Sequence, residues 1–212
     1  MIDEKILSEL RLSIRNGDMS KKRRDHILAV EEMAKRIGEI YAPDKLSVLC
    51  AAALLHDITK EYSVDEHVGI LRAHGYEPTE IDLLAPKTLH AKTAAMIIPE
   101  KYPQLAKKEV VSAVRWHTTG RAGMTITEKI VYLADYIDDT RKFDDCVKLR
   151  DMFWSAQPER MDEKQKDAHL RDVLIASFKM TVSGLLEGEC PISPDTADAL
   201  NDQICEKYRK QI

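Results

Sequence analysis

Aromatic side chains make up only 6% of the 212 residues, and there are just 8 glycines. Sandwiches and barrels depend on frequent tight turns, so this composition disfavours them. No apolar run approaches the ~20 residues needed to span a bilayer. The opening MIDEKILSEL is acidic and amphipathic, without the charged-then-apolar layout of a secretory leader. Cysteine is sparse: Cys50, Cys146, Cys190 and Cys205 lie far apart with no CxxC pair. That spacing fits sparse buried thiols in a reducing compartment better than a zinc ribbon or disulfide framework. Excess positive charge is also lacking. A formal net charge of -4 argues against coating nucleic acid, although a local basic pocket for a small anion remains open. The expectation is a cytoplasmic protein with no nucleic-acid partner and no membrane partner.

What is present is helical. The hydrophobic share is 44% and the charged share 32%, enough apolar material for a real core. Apolar residues recur with a period near 3.6, and nothing alternates with period two over a useful length, so the fold is expected to be all-α. A short first helix around Ile6, Leu7 and Leu10 breaks at Gly17. Its apolar stripe could form a homodimer contact or pack on the bundle. Ser20 can cap a second helix carrying Ile27, Val30, Met33, Ala34, Ile37 and Ile40, which stops near Pro43. LSVLCAAALLHD is apolar nearly all round, as expected of a central helix. Ser63 with Glu66 and Thr125 with Glu128 form capping boxes; Gly75 closes the helix that Ser63 opens. Short helices are expected over 89–98 and 104–116. From Phe143 the chain is more polar. SAQPERMDEKQKDAHL is read as a solvated connection before a last helix pair interrupted at GECPISP. The organisation expected is a 1–142 core with 143–212 as C-terminal helices packing on the same domain.

The strongest local signal is His56-Asp57 at the end of that apolar helix. Burying an imidazole beside a carboxylate costs several kcal/mol unless something compensates, and a metal ion does so for both. A capping Asp57 with a satisfied core His56 is the bland alternative. His26 heads the core-facing stripe of its helix, and Asp135 interrupts the apolar IVYLADYID. Bundle cores commonly house such ligands, and imidazole with carboxylate suits iron, manganese, cobalt or zinc. His90 opens one helix and His117 closes another, giving six candidate ligands. Two ions with Asp57 as bridge could activate a water and stabilise a phosphoryl displacement. A single ion with His90 and His117 acting on substrate oxygens is the simpler alternative. Arg23, Lys60, Thr118, Thr119, Arg121 and Arg141 surround these positions and read as an anion clamp. Lys22 and Arg24 read as surface, as do His67, His74 and His169. Trp116 reads as core and Glu128 as a cap.

These residues carry a resemblance. His26, His56-Asp57 and Asp135 resemble the HD-superfamily signature. RRDHILAVEEMA, AALLHDITK, LHAKTAAMI, HTTGRAGMTITEKIVYLADYID and Arg141 resemble YqeK-type symmetrical bis(5'-nucleosyl)-tetraphosphatases over roughly residues 20–142. The resemblance implies an HD-domain helical bundle that hydrolyses diadenosine tetraphosphate to two ADP at an iron site of one or two ions. Manganese, cobalt or another divalent metal could substitute. It implies His26, His56, Asp57 and Asp135 as metal ligands, with His90 and His117 on a second metal or on phosphate. Asp57, His90 and His117 would be catalytic, and Arg23, Lys60, His90, His117, Thr118 and Arg141 would hold the nucleotide, with ADP or GDP as product. The segment from Phe143 to about His169 looks longer and more charged than the family pattern. Pro191, Pro194, Thr196 and Asn201 restore some likeness in the tail, which in the family partly contacts base and ribose. Competing readings are a general HD-type nucleotide phosphohydrolase and a nucleotide-binding sensor without turnover.

Overall fold

The computed structural model describes residues 2–209. Among them the regular structure is helical, with no strand: α1 Glu4–Asn16, α2 Lys21–Tyr41, α3 Leu46–Leu55, α4 Val64–Ala73, α5 Glu80–Leu84, α6 Leu89–Lys101, α7 Lys108–Trp116, α8 Ile126–Ile137, α9 Asp144–Ser155, α10 Glu163–Glu187 and α11 Pro194–Tyr208. Four 3-10 turns interrupt the order, and each begins on a proline: Pro43, Pro86, Pro103 and Pro158. Proline's fixed φ suits a helical first position that lacks a hydrogen-bonded N–H, so these turns mark changes of direction. No helix among the described residues is long and apolar enough to cross a membrane.

α3 is the hub. Eight of its ten residues, Val48 to Leu55, are buried, and it packs against α1, α2, α7 and α8. Each fully buried leucine contributes about 1.5–3 kcal/mol of apolar transfer, so Leu49, Leu54 and Leu55 anchor the bundle. α2 approaches α3 closely at Gly38, where an added Cβ would lie 2.5 Å from Leu49 Cδ1. Only glycine permits that approach without displacing the leucine. The stripe on α1 takes the packing alternative: Leu7, Leu10 and Ile14 are buried in the common core. α6 packs on α4 and α7, while α9, α10 and α11 reach the core through α8 and one another.

Several expectations need correction. SAQPERMDEKQKDAHL is not one long connection, because α10 starts at Glu163 inside it. Asp162 and Gln165 form a capping box there, and Leu170, Val173, Leu174, Ser177 and Phe178 make the buried stripe. The high charge of the stretch belongs to the solvated face of a helix. α5 and α9 do not stand out in the sequence: α5 is five residues long, and its cap pairs Thr79 with Asp82 rather than with glutamate. The helices expected over 89–98 and 104–116 end at Lys101 and begin at Lys108, because Pro103–Leu105 turns the chain between them. Only Cys50 and Cys146 are buried; Cys190 and Cys205 are exposed. His67 is buried, with Nδ1 2.9 Å from Thr93 Oγ1, which ties α4 to α6. His169 is half-buried against the Phe153 ring, whereas His74 is exposed as expected. Trp116 is half-buried and carries the Arg115 guanidinium over its ring at 3.9 Å.

Candidate metal centre

Six side chains from five helices or their ends meet at one point. His26 comes from α2, His56 caps α3 and Asp57 follows it, His90 lies in the first turn of α6, His117 caps α7, and Asp135 sits near the end of α8. His26 Nε2 is 3.4 Å from His56 Nε2 and 3.0 Å from Asp135 Oδ1. His90 Nε2 is 3.0 Å from His117 Nε2. Asp57 stands between the two histidine pairs. Its Oδ2 lies 3.5 Å from His26 Nε2 and 3.4 Å from His56 Nε2, while its Oδ1 lies 3.1 Å from His90 Nε2 and 3.8 Å from His117 Nε2. Three overlapping sets each bring their ligand atoms within 4.8 Å: His26, His56 and Asp57; His56, His117 and Asp135; Asp57, His90 and His117.

Local structure explains why the rings face inward. His26 shares the buried side of α2 with Val30, Met33 and Ile37, the spacing of one helical face. His56 Nδ1 donates to the Ala53 carbonyl at 2.6 Å, and His117 Nδ1 donates to the Val114 carbonyl at 2.6 Å. Both bonds run from a helix-end side chain to a carbonyl three residues back. Each fixes the tautomer so that Nε2 presents a lone pair to the cluster, as metal-binding histidines require. His26 uses a carboxylate instead: its Nδ1 is 3.3 Å from Asp138 Oδ2. Asp138 is fully buried and is itself held by the backbone N–H of Thr140 at 2.8 Å. Sequence reasoning missed Asp138. Its only signal was a second carboxylate three residues after Asp135, nearly one turn away on the same helix end.

The electrostatics suit a cation. Burial raises the cost of charging Asp57, yet the surrounding imidazoles outweigh it and hold the carboxyl well below its usual range. Asp135 is likewise held low, because Arg141 and His26 outweigh its desolvation. Burial lowers His26, but Asp135 and Asp138 outweigh burial and lift it to about 9. His90 goes the other way: burial pulls it to about 3 despite Asp57. Burial also lowers His117. Four imidazoles and two carboxylates with no thiolate fit a divalent transition metal better than calcium.

A ring of cations and hydroxyls lies against this cluster. Arg23 donates to Asp57 Oδ2, and Arg141 Nη2 donates to Asp135 Oδ1 at 2.6 Å. Lys60 Nζ is 3.1 Å from His90 Nε2, and burial lowers its pKa. Thr118 Oγ1 lies 3.2 Å from His90 Nε2 and 3.1 Å from His117 Nε2. Arg121 and Thr119 do not join the ring. Arg121 pairs with the fully buried Glu128 at 2.9 Å, and Thr119 donates to the Gly120 carbonyl. Glu128 also accepts from Ser112 and from the Thr125 N–H, so it caps α8 and ties α7 and the HTTGR turn to it. Beside His26, Arg23 and Arg141 a cavity of about 730 Å³ opens to solvent.

Comparison with known proteins identifies the family. The HD domain family matches residues 23–140. The symmetrical bis(5'-nucleosyl)-tetraphosphatase of Halalkalibacterium halodurans is 29% identical over 89% of this chain and 92% of its own length. The enzyme of the same name from Staphylococcus aureus is 32% identical over 86% of this chain and 87% of its own. A solved structure from Clostridium acetobutylicum, described as a predicted HD superfamily hydrolase involved in NAD metabolism, superposes with a TM-score of 0.77. It is 26% identical and the match covers 96% of this chain and 97% of that one. With its histidine–aspartate cluster and all-helical frame, this chain belongs to the HD-domain hydrolases and, among them, to the family of the symmetrical bis(5'-nucleosyl)-tetraphosphatases.

Proposed function

We propose that this chain hydrolyses diadenosine tetraphosphate, or its guanosine counterpart, symmetrically to two nucleoside diphosphates at a site of one or two divalent ions, iron foremost. The observation that carries the reading is Asp57, whose two oxygens each face a different pair of histidines. His26, His56, Asp57 and Asp135 would hold one ion, and Asp57 with His90 and His117 a second. When bound, the metal supplies Lewis acidity to phosphoryl oxygens and a nucleophile from water at neutral pH.

His117 bears on the choice between a second ion and direct contact with phosphate. With Nδ1–H committed to the Val114 carbonyl and its pKa lowered by burial, its Nε2 has no proton to donate to a phosphate oxygen. A lone pair at that atom suits a cation, so the two-ion reading is preferred. Arg23, Lys60, Thr118 and Arg141 have protons to donate and would grip the phosphates. In the reaction a water oxygen bonds to one central phosphorus and the bond from that phosphorus to the bridging oxygen breaks. The departing ADP keeps the bridging oxygen, and the cations hold its charge. Metal-loaded protein incubated with diadenosine tetraphosphate should give ADP alone on ion-exchange chromatography. ATP with AMP, absence of turnover, or faster release of phosphate from mononucleotides would contradict the reading, the last in favour of a general nucleotidase.

A further inference from the structure

Phe143 is unlike the other phenylalanines of the chain. Phe153 and Phe178 are fully buried, whereas Phe143 is 72% exposed. Lone exposed apolar residues are ordinary, so exposure alone means little. What distinguishes Phe143 is its position: it lies in the wall of the 730 Å³ cavity, together with Lys22, Arg23, His26, Arg141 and Lys142. That wall is strongly cationic on a chain whose net charge is -4. Asp25 is the acid in the lining, and Lys21 already pairs with it at 2.6 Å. The cavity is continuous with the metal centre through His26, Arg23 and Arg141, which touch Asp135 or Asp57.

The backbone that carries Phe143 is held in place. Arg150 Nε donates to the Ile137 carbonyl at 2.7 Å, and its Nη2 donates to the Arg141 carbonyl at 2.8 Å and to that of Asp138. The Arg141 N–H donates to the Asp138 carbonyl at 3.1 Å. Phe143 then sits at the N-cap of α9 in extended conformation, without a capping side chain of its own. The ring is thus an aromatic face on a fixed support beside cations, at the mouth of a phosphate-cleaving centre. Aromatic faces presented this way stack nucleobases with little regard to base identity, and a fixed support reduces the ordering cost of binding.

We propose that Phe143 is the stacking platform for one of the two nucleobases of the substrate, with Lys22 and Lys142 flanking the phosphates that lead from it to the metal centre. This rests on the reading of a dinucleoside polyphosphate substrate. The second half of such a molecule would lie on the opposite side of Asp57, toward Lys60 and Thr118.

The test uses the full-length, manganese-loaded protein and calorimetric binding of a diadenosine tetraphosphate analogue with a methylene group at the central bridge. That analogue cannot be split symmetrically, so binding is read without turnover. Inorganic diphosphate serves as the ligand without a base. Phe143→Ala should weaken the analogue by at least about 5-fold, the lower end for loss of one base–aromatic stack. The same variant should hold diphosphate within about 2-fold of the parent, and Phe143→Trp should bind the analogue as the parent does. Equal affinity of Phe143→Ala and parent for the analogue overturns the proposal, as does a matching loss for diphosphate or failure of the parent to bind the analogue. If analogue binding depends on Phe143 but no ADP is formed from diadenosine tetraphosphate, the hydrolase reading fails and the stacking platform stands. Hydrolysis that is indifferent to Phe143 sinks only the platform.

Discussion

His26 has both ring nitrogens engaged, Nε2 toward Asp57 and Asp135 and Nδ1 toward Asp138. In the metal-free protein those carboxylates outweigh the burial that opposes charge and hold the imidazolium up to about 9, against an ordinary 6.5. The raised pKa favours the fold fully below pH 6.5, and that contribution is lost as pH rises through about 9. Metal reverses the preference, since a ligating imidazole must surrender its proton. Binding of manganese to the apoprotein near neutral pH should therefore release about one proton from this group. Calorimetry in buffers of different ionisation enthalpy measures it, and affinity should rise with pH until about 9. Replacing Asp138 by Asn should reduce the proton release; release unchanged in that variant would show that His26 is not its source. At this scale His56-Asp57 and Asp135 are legible because each is a polar group set into an apolar run, and His26 because it heads the core-facing stripe of its helix. Asp138 is not, because nothing in the sequence shows that it faces His26 Nδ1, which only the fold brings to 3.3 Å. Arg121 was misjudged for a related reason. Its partner, Glu128, lies seven residues on and looked like a simple cap.

The elements place three of the proposed ligands at helix ends. His56, His90 and His117 lie at the end of α3, the start of α6 and the end of α7; at the two C-terminal ends a free carbonyl, Ala53 or Val114, orients the ring. The HTTGR turn after α7 depends on Gly120, which has φ +64° and whose added Cβ would fall 2.7 Å from Phe178 Cζ and 3.0 Å from Ala199 Cβ. Gly120→Ala should cost about 1–3 kcal/mol from overpacking and backbone strain. Thermal unfolding should report it as a fall of roughly 2–12 °C; an unchanged melting temperature would mean that α10 and α11 yield freely at this contact. Element types were legible wherever periodicity and a Ser or Thr capping box coincided. α5 was too short to show a period, and α10 was obscured because its first turns are charged on the solvent face.

Across the whole molecule, net negative charge coexists with a concentrated basic site. Arg23, Lys60 and Arg141 gather over the carboxylates of Asp57 and Asp135, while Lys22 and Lys142 extend the positive field along the cavity. Every proposed ligand is rooted in α3, in a helix that packs on α3, or in a neighbour of one, so the core sets the positions of the atoms that would bind metal. Beyond Phe143, the described residues Leu149, Phe153, Leu170, Val173, Leu174, Phe178 and Ala199 belong to that core. Helices packing on the core are expected there from the sequence, but the polar run hides which residues do so, because the apolar stripe of α10 starts only at Leu170. The convergence of distant ligands was foreseen only as a possibility, since spacing along the chain says nothing about which helix ends meet. Metal content measured by elemental analysis after anaerobic purification tests that convergence most directly, with helicity by circular dichroism as the control for folding. The parent protein should carry about one to two transition-metal ions per chain, and folded Asp57→Ala and Asp57→Asn should lose most of them. Full metal retention in either folded variant, or a parent that takes up no metal, would contradict a centre built around Asp57.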